Sequence, residues 1–185
     1  MKAGDRQAGP SRWWLCGLLL AATVLSYLDR QALSLTADQL IAEYGLSQEQ
    51  FGGILAAFRH SYALFQLAGG WLVDAFGVRL IYPAAIGLWS VAGAMTAFAP
   101  GIGSISACRF VLGAGEAFNW PSALRTTEQM MEPAERPLAN GIFNSGAALG
   151  ALLAPPVVTW LTMQFGWRSA FVATGATGLV WIGVW

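Results

Sequence analysis

WWLCGLLLAATVLSYLDRQALSL, residues 13–35, is the stretch on which the fold turns. It stays apolar over the roughly 20 residues that an α-helix needs to cross about 30 Å of hydrocarbon. Yet it carries Asp29 and Arg30 before it ends. Lys2, Arg6 and Arg12 ahead of the run resemble the opening of a secretory signal peptide, but charge inside the run and Leu35 at the place of a small residue before Ala37 argue against cleavage. Cys16 comes at the start of the run, which argues against a lipoprotein anchor. Residues 13–35 are therefore read as a membrane span with two charges inside it.

The rest of the chain repeats this pattern. Hydrophobic residues make up 56% of it and charged residues 11%, a balance outside the ordinary globular range. Further spans are predicted near Gln50 to Val73, Leu80 to Ala99, Ile102 to Leu124, Pro137 to Met163 and Ser169 to Trp185. Six spans joined by short polar connectors form an all-α bundle, because open backbone cannot face lipid. The connectors are Asp38 with Glu43 and Glu49, then Asp74 to Arg79, then Pro100 to Gly103, and Glu128 to Pro137, which is read as a solvated loop. Trp13, Trp14, Trp71, Trp160 and Trp167 fall near span ends, as an interfacial belt requires.

Basic residues fix the orientation. Lys2, Arg6, Arg12, Arg79, Arg125 and Arg136 share one side and only Arg168 takes the other, so residues 1–12 are expected in the cytoplasm. Residues 13–185 are then one six-helix transmembrane bundle whose last span stops at Trp185 without a basic flank, an end expected of half a protein. The net charge of zero gives no basic field for nucleic acid. Cys16 and Cys108 lie far apart in apolar runs and read as small hydrophobes, with no disulfide between them.

Asp29, Arg30, Arg59, His60, Arg109 and Glu116 all fall at membrane depth. A charge at the bilayer centre costs about 2.5 to 3.5 kcal/mol even on the lenient insertion scale, so these groups must face one another or a wet path. Arg109 and Glu116, seven residues apart, share a helix face, with Asn119 three further on. Tyr27, Arg30 and Ser34 make a comparable stripe in the first span, with Asp29 about 100° round the helix. The alternative is a set of ion pairs that only fix packing. His60 has two readings as well, proton relay or packing residue.

Three motifs carry a resemblance. Gly69-Gly70-Trp71-Leu72-Val73-Asp74-Ala75-Phe76-Gly77-Val78-Arg79 resembles the loop signature of the major facilitator superfamily. The string from Arg109 through Gly113, Gly115, Glu116 and Asn119 to Pro121 is similar to that superfamily's fourth-helix motif. Tyr27-Leu28-Asp29-Arg30, together with Asn144-Ser145-Gly146 and Ala154-Pro155-Pro156, resembles the anion:cation symporter branch, in particular its hexuronate and aldonate carriers. The chain departs at Ala75 and Leu80, where basic residues are common, and at Arg59-His60. The resemblance covers essentially the whole chain. It implies the N-terminal bundle of a facilitator, built as two inverted three-helix repeats, with the first and fourth spans beside a central cavity.

The expected function is proton-coupled symport of an organic anion, most simply a sugar acid such as a hexuronate or aldonate. Arg30 with Tyr27 is the choice for the substrate carboxylate, since a guanidinium offers a planar fork. Arg109, Asn119, Asn144 and Ser145 complete the expected substrate site, and Asp29 and Glu116 are the candidate proton carriers, Glu116 switching between a state paired with Arg109 and an unpaired one. Gly70, Asp74, Gly77 and Arg79 form the expected gating loop. The partners are then a small organic anion, protons, the lipid bilayer and a missing C-terminal six-helix half.

No cofactor and no metal site is expected. The chain has one histidine and no convincing nucleophile–base set, so it is not read as an enzyme. Gly113-Ala114-Gly115 lies inside a span with no strand before it, which removes a phosphate loop. Gly146 and Gly150 have small-xxx-small spacing for close helix packing, and Pro155-Pro156 is expected to bend or break its helix. Facilitated movement of another carboxylate, aromatic or dicarboxylic, and a membrane scaffold or sensor are the rival readings.

Overall fold

A computed structural model describes residues 11–185; residues 1–10, with Lys2 and Arg6 among them, lie outside the described residues. Eight helices follow one another: α1 (Ser11–Leu35), α2 (Ala37–Tyr44), α3 (Gln48–Phe76), α4 (Val78–Thr96), α5 (Ile102–Glu116), α6 (Asn119–Met130), α7 (Arg136–Phe165) and α8 (Trp167–Val184). The six predicted spans correspond to α1, α3, α4, α5 with α6, α7 and α8. By length and composition alone, only α4 and α7 qualify as membrane spans among the described residues.

The turns are written in local chemistry. Ser47 opens α3 with a capping box, accepting from the Gln50 N–H at 3.1 Å while the Gln50 side chain accepts from the Ser47 N–H at 2.9 Å. Gly77 is the only residue between α3 and α4, and its φ of 83° is open to glycine at little cost.

The elements depart from the sequence reading at three places. The first connector contains α2, eight residues held down by buried Leu40. The fourth span is interrupted at Ala117-Phe118, because Pro121 has no N–H to give the Ala117 carbonyl four residues back. Of the bend or break expected at Pro155-Pro156, the break is not made, and α7 runs through both prolines.

The helices associate as α1 with α7, α3 with α5, and α4 with α8. Exchanging the first three spans for the last three maps the first pairing onto the second and the third onto itself, the pattern of two inverted three-helix repeats. Glycine makes each seam. A Cβ on Gly150 of α7 would lie 2.7 Å from Tyr27 Cβ of α1, and one on Gly113 of α5 only 2.6 Å from the Phe58 carbonyl of α3. Gly113 is thus a packing glycine. With lipid as apolar as leucine, such backbone approach is how membrane helices gain dispersion contact.

Large apolar side chains also cover the outside. Leu64, Leu67, Trp71, Val91, Met95, Leu152, Met163 and Val180 are exposed, a surface suited to hydrocarbon. Trp13, Trp14, Trp71 and Trp160 are exposed near helix ends, as a belt requires. Trp167 is not part of it: it is buried, and its indole N–H donates to Glu43 Oε2 at 2.7 Å. Arg168 joins the same carboxylate, donates to the Ala97 carbonyl at 3.1 Å and lies 4.4 Å from the Trp167 ring centre, clasping α2 to α8 at this rim. The guanidinium of Arg168 first, and then the Trp167 N–H, hold the Glu43 carboxyl below the usual glutamate range.

Candidate functional site

Stripes at helical spacing from α1 and α3, with one residue of α5, line a cavity. Arg30, Leu33 and Ser34 come from α1, and Leu55, Phe58, Arg59 and Tyr62 from α3. Arg109 of α5 closes a space of about 420 Å³. Residues three and four apart stand one above another on a helix, so each stripe presents a single face to the cavity.

Arg30 is the best-held group at its wall. Its Nε donates to Glu116 Oε2 at 2.5 Å, and Ser26 Oγ donates to the same oxygen at 2.9 Å. Three aromatic rings surround the guanidinium, Tyr62 at 4.7 Å and Tyr27 and Phe58 each at 5.1 Å from centroid to Cζ. Each such contact contributes about 0.5 to 2 kcal/mol, depending on how dry it is. Glu116 is fully buried behind Arg30, and its Oε1 has no hydrogen-bond partner.

The expected pairing of Arg109 with Glu116 is corrected. Seven residues along a helix separate two side chains by about 10 Å, so a shared face did not mean contact. Glu116 instead reaches across to α1. Arg109, buried, donates through Nη1 to the Asp29 carbonyl at 3.1 Å and stacks 5.0 Å from the Phe171 ring centre, leaving Nε and Nη2 without hydrogen-bond partners. Asp29 does not accompany Arg30 to the cavity. Its buried carboxyl faces α4, where a Cβ on Gly93 would lie 3.4 Å from Oδ1, and neither oxygen has a hydrogen-bond partner.

The expected hydroxyl-binding amides stand elsewhere. Asn119 accepts from Tyr82 Oη at 2.7 Å and donates to Thr23 Oγ1 at 3.3 Å, so its amide braces α1, α4 and α6. Asn144 and Ser145 are exposed on α7 and do not line the cavity of Arg30; Ser145 Oγ donates back to the Ile142 carbonyl at 2.7 Å. His60 is exposed beside Arg59 but off the cavity stripe.

At the opposite rim, Asp74 pairs with Arg125 of α6 at 3.1 Å. Arg79 stands apart, exposed and lining a separate cavity with Leu15, Thr126 and Trp185. Gly70 is exposed with open space beside it, whereas Gly69 packs, a Cβ there lying 3.2 Å from Pro121. The fourth connector is not merely solvated: Arg12 pairs with Glu132 at 3.2 Å and Glu135 at 3.1 Å, and Arg136 donates to the Glu128 carbonyl at 2.8 Å.

Sequence reasoning missed Ser26, Phe58, Tyr62 and Arg125. Only the Leu55, Phe58, Arg59, Tyr62 spacing could have announced the second cavity wall.

The comparisons with known proteins agree with this architecture. The sequence profile of the Major Facilitator Superfamily matches residues 19–185. A galacturonate transporter of Dickeya chrysanthemi is 36% identical over 174 residues, 94% of this chain and 50% of that protein. A hexuronate transporter of Escherichia coli K12 is 33% identical over 94% of this chain and 40% of its own length. The chain thus spans about half the length of the curated relatives it matches. A bacterial homologue of the human lysosomal transporter Spinster, solved in an inward-facing and unoccupied conformation, superposes with a TM-score of 0.86 at 21% identity, over 96% of this chain and 43% of that one, a likeness of fold.

Proposed function

The chain belongs to the major facilitator superfamily, and from that premise we propose that it is the N-terminal bundle of a proton-coupled symporter for an organic anion, a sugar acid of the hexuronate or aldonate class. The observation that carries this reading is Arg30: a guanidinium at a cavity wall, ringed by Tyr27, Phe58 and Tyr62 and held by a fully buried carboxylate. A free carboxylate entering the cavity competes with Glu116 for Arg30. Protonation of Glu116 ends that competition, so proton and anion load together. The names of the two sugar-acid relatives support the substrate class.

Asp29 is the second proton carrier, its buried carboxyl without a hydrogen-bond partner and its backbone carbonyl taken by Arg109. The domain spans residues 13–185 in the inner membrane, and Arg12, Arg79, Arg125 and Arg136 on one side support a cytoplasmic N-terminus. Asp74 with Arg125 is the cytoplasmic latch, forming and breaking between states. A second six-helix bundle supplies the opposing wall, and one bundle rocks against the other.

Reconstitution in liposomes tests the reading. Glu116→Gln should abolish proton-driven accumulation of a hexuronate while retaining exchange of internal for external substrate, because exchange needs no net proton release. Accumulation that survives the substitution removes Glu116 from the coupling path, and absence of saturable uptake for every organic anion removes the transport reading.

A further inference from the structure

The adjacent pair Arg59-His60 has no part in the scheme above. Arg59 is well inside the 29 residues of α3, about 17 Å along a helix about 43 Å long, which puts the pair near the middle of the membrane. Both side chains are exposed. Among the described residues neither enters a salt bridge. The carboxylates at membrane depth are engaged elsewhere, Glu116 buried behind Arg30 and Asp29 facing α4. Arg109 also keeps Nε and Nη2 unpartnered at the cavity, but it is buried and braced on the Asp29 carbonyl, whereas the α3 pair is open to whatever faces the bundle.

The pair selects among the things that could face it. Hydrocarbon would leave the Arg59 charge unsolvated at the depth where that costs most. A ligand in the cavity reaches Arg59, which lines it, but not His60, which does not. A second copy joined through this face about a two-fold axis would set guanidinium against guanidinium. A protein wall bearing a carboxylate meets both groups, since Arg59 and His60 stand about 100° apart round the helix and a carboxylate has two oxygens to accept from them. The helix surface suits such an approach. Gly52, Gly53 and Ala56 come before the pair and Ala63 after it, and a Cβ on either glycine would meet nothing within 4 Å, so a facing helix can come close before large side chains return at Leu64 and Leu67.

We propose that the second bundle carries an acidic side chain at the depth of Arg59, and that this carboxylate docks on the Arg59-His60 face of α3. This rests on the two-bundle transport reading above and says which face meets the opposing wall and through what chemistry. The curated relatives are about twice as long as this chain, which leaves length in them for that wall.

The test uses the full-length gene product. Each Asp and Glu inside an apolar span of the second bundle is neutralised in turn, alone and together with Arg59→Gln, and melting in nanodiscs is followed by tryptophan fluorescence. At one acidic position each single variant should lower the melting temperature by at least about 2 °C, and the double variant should melt no lower than the worse single, because removing both partners leaves no unpaired charge. Arg59→Glu should slow hexuronate counterflow in liposomes at least about tenfold, and reversing the coupled acid to Arg in the same molecule should recover it to within about threefold. Arg59→Lys should keep most of the coupling, because it keeps the charge.

Additive effects at every acidic position, the absence of any Asp or Glu from those spans, or a failure of every reversal to rescue Arg59→Glu overturns the docking. So does an Arg59→Gln variant that melts with the wild type yet binds a hexuronate more weakly, because Arg59 would then serve the substrate. A wild type without saturable counterflow of any organic anion removes the transport reading, and the melting couplings still decide the docking.

Discussion

The pairing of Glu116 with Arg30 rather than Arg109 is open to a direct measurement, a pair of double-mutant cycles. The perturbations are Glu116→Gln combined with Arg30→Gln in one cycle and with Arg109→Gln in the other. Nε to Oε2 is 2.5 Å in the first pair. With charge centres about 4 Å apart and an effective dielectric near 20, the gross attraction is about 4 kcal/mol. For Arg109, about 10 Å away along its own helix, the same expression gives about 1.7 kcal/mol. Measured couplings fall below gross Coulomb values, and glutamine keeps a hydrogen bond to Ser26 and Arg30, so the expected couplings are about 2 kcal/mol for Arg30 and under about 1 kcal/mol for Arg109. Equilibrium unfolding in detergent, followed by tryptophan fluorescence, supplies the four free energies of each cycle. A coupling for Arg109 as large as that for Arg30 would refute the assignment and restore the pairing suggested by helical spacing.

Three further outcomes are expected. Gly113→Ala should destabilise the protein by about 1 to 3 kcal/mol in thermal melting, because its Cβ meets the Phe58 carbonyl, while Gly141→Ala, with open space around it, should not. Asp74→Asn should change stability by less than about 1 kcal/mol, since its pair with Arg125 is exposed, yet alter the rate of transport; an unchanged rate in counterflow would remove the latch. The low folded-state pKa of Glu43 makes its contribution to stability full above the ordinary glutamate value of about 4.3 and lost as pH falls through the lower folded value. Glu43→Gln should therefore flatten the acid side of a melting-temperature profile, and a profile identical to wild type would count against the clasp.

What was legible in the sequence is what repeats along one helix. Apolar runs gave the spans, and three- and four-residue spacing gave the stripe of Tyr27, Arg30 and Ser34. What crosses between helices was not legible. Glu116 reaching to α1, Asn119 bracing Tyr82 and Thr23, and Arg125 taking Asp74 depend on which helices touch, and no spacing within a helix encodes that. Between Thr36 and Gly45 the charges of Asp38 and Glu43 concealed a short helix anchored by buried Leu40 and tied to its neighbours through Glu43 and Tyr44. Trp167 looked interfacial because tryptophan near a span end has two uses, and only its hydrogen bond to Glu43 separates them.

The glycine seams have a mechanical consequence. A contact between side chains yields under load by changing rotamers, whereas Gly113 against the Phe58 carbonyl and Gly150 against Tyr27 have no torsion of their own to give. The bundle is stiff along the joints that carry its two charged stripes. A force arriving at α1 or α3 is transmitted to its mate, α7 or α5, with little compliance, so each cavity wall moves as one piece with the helix behind it.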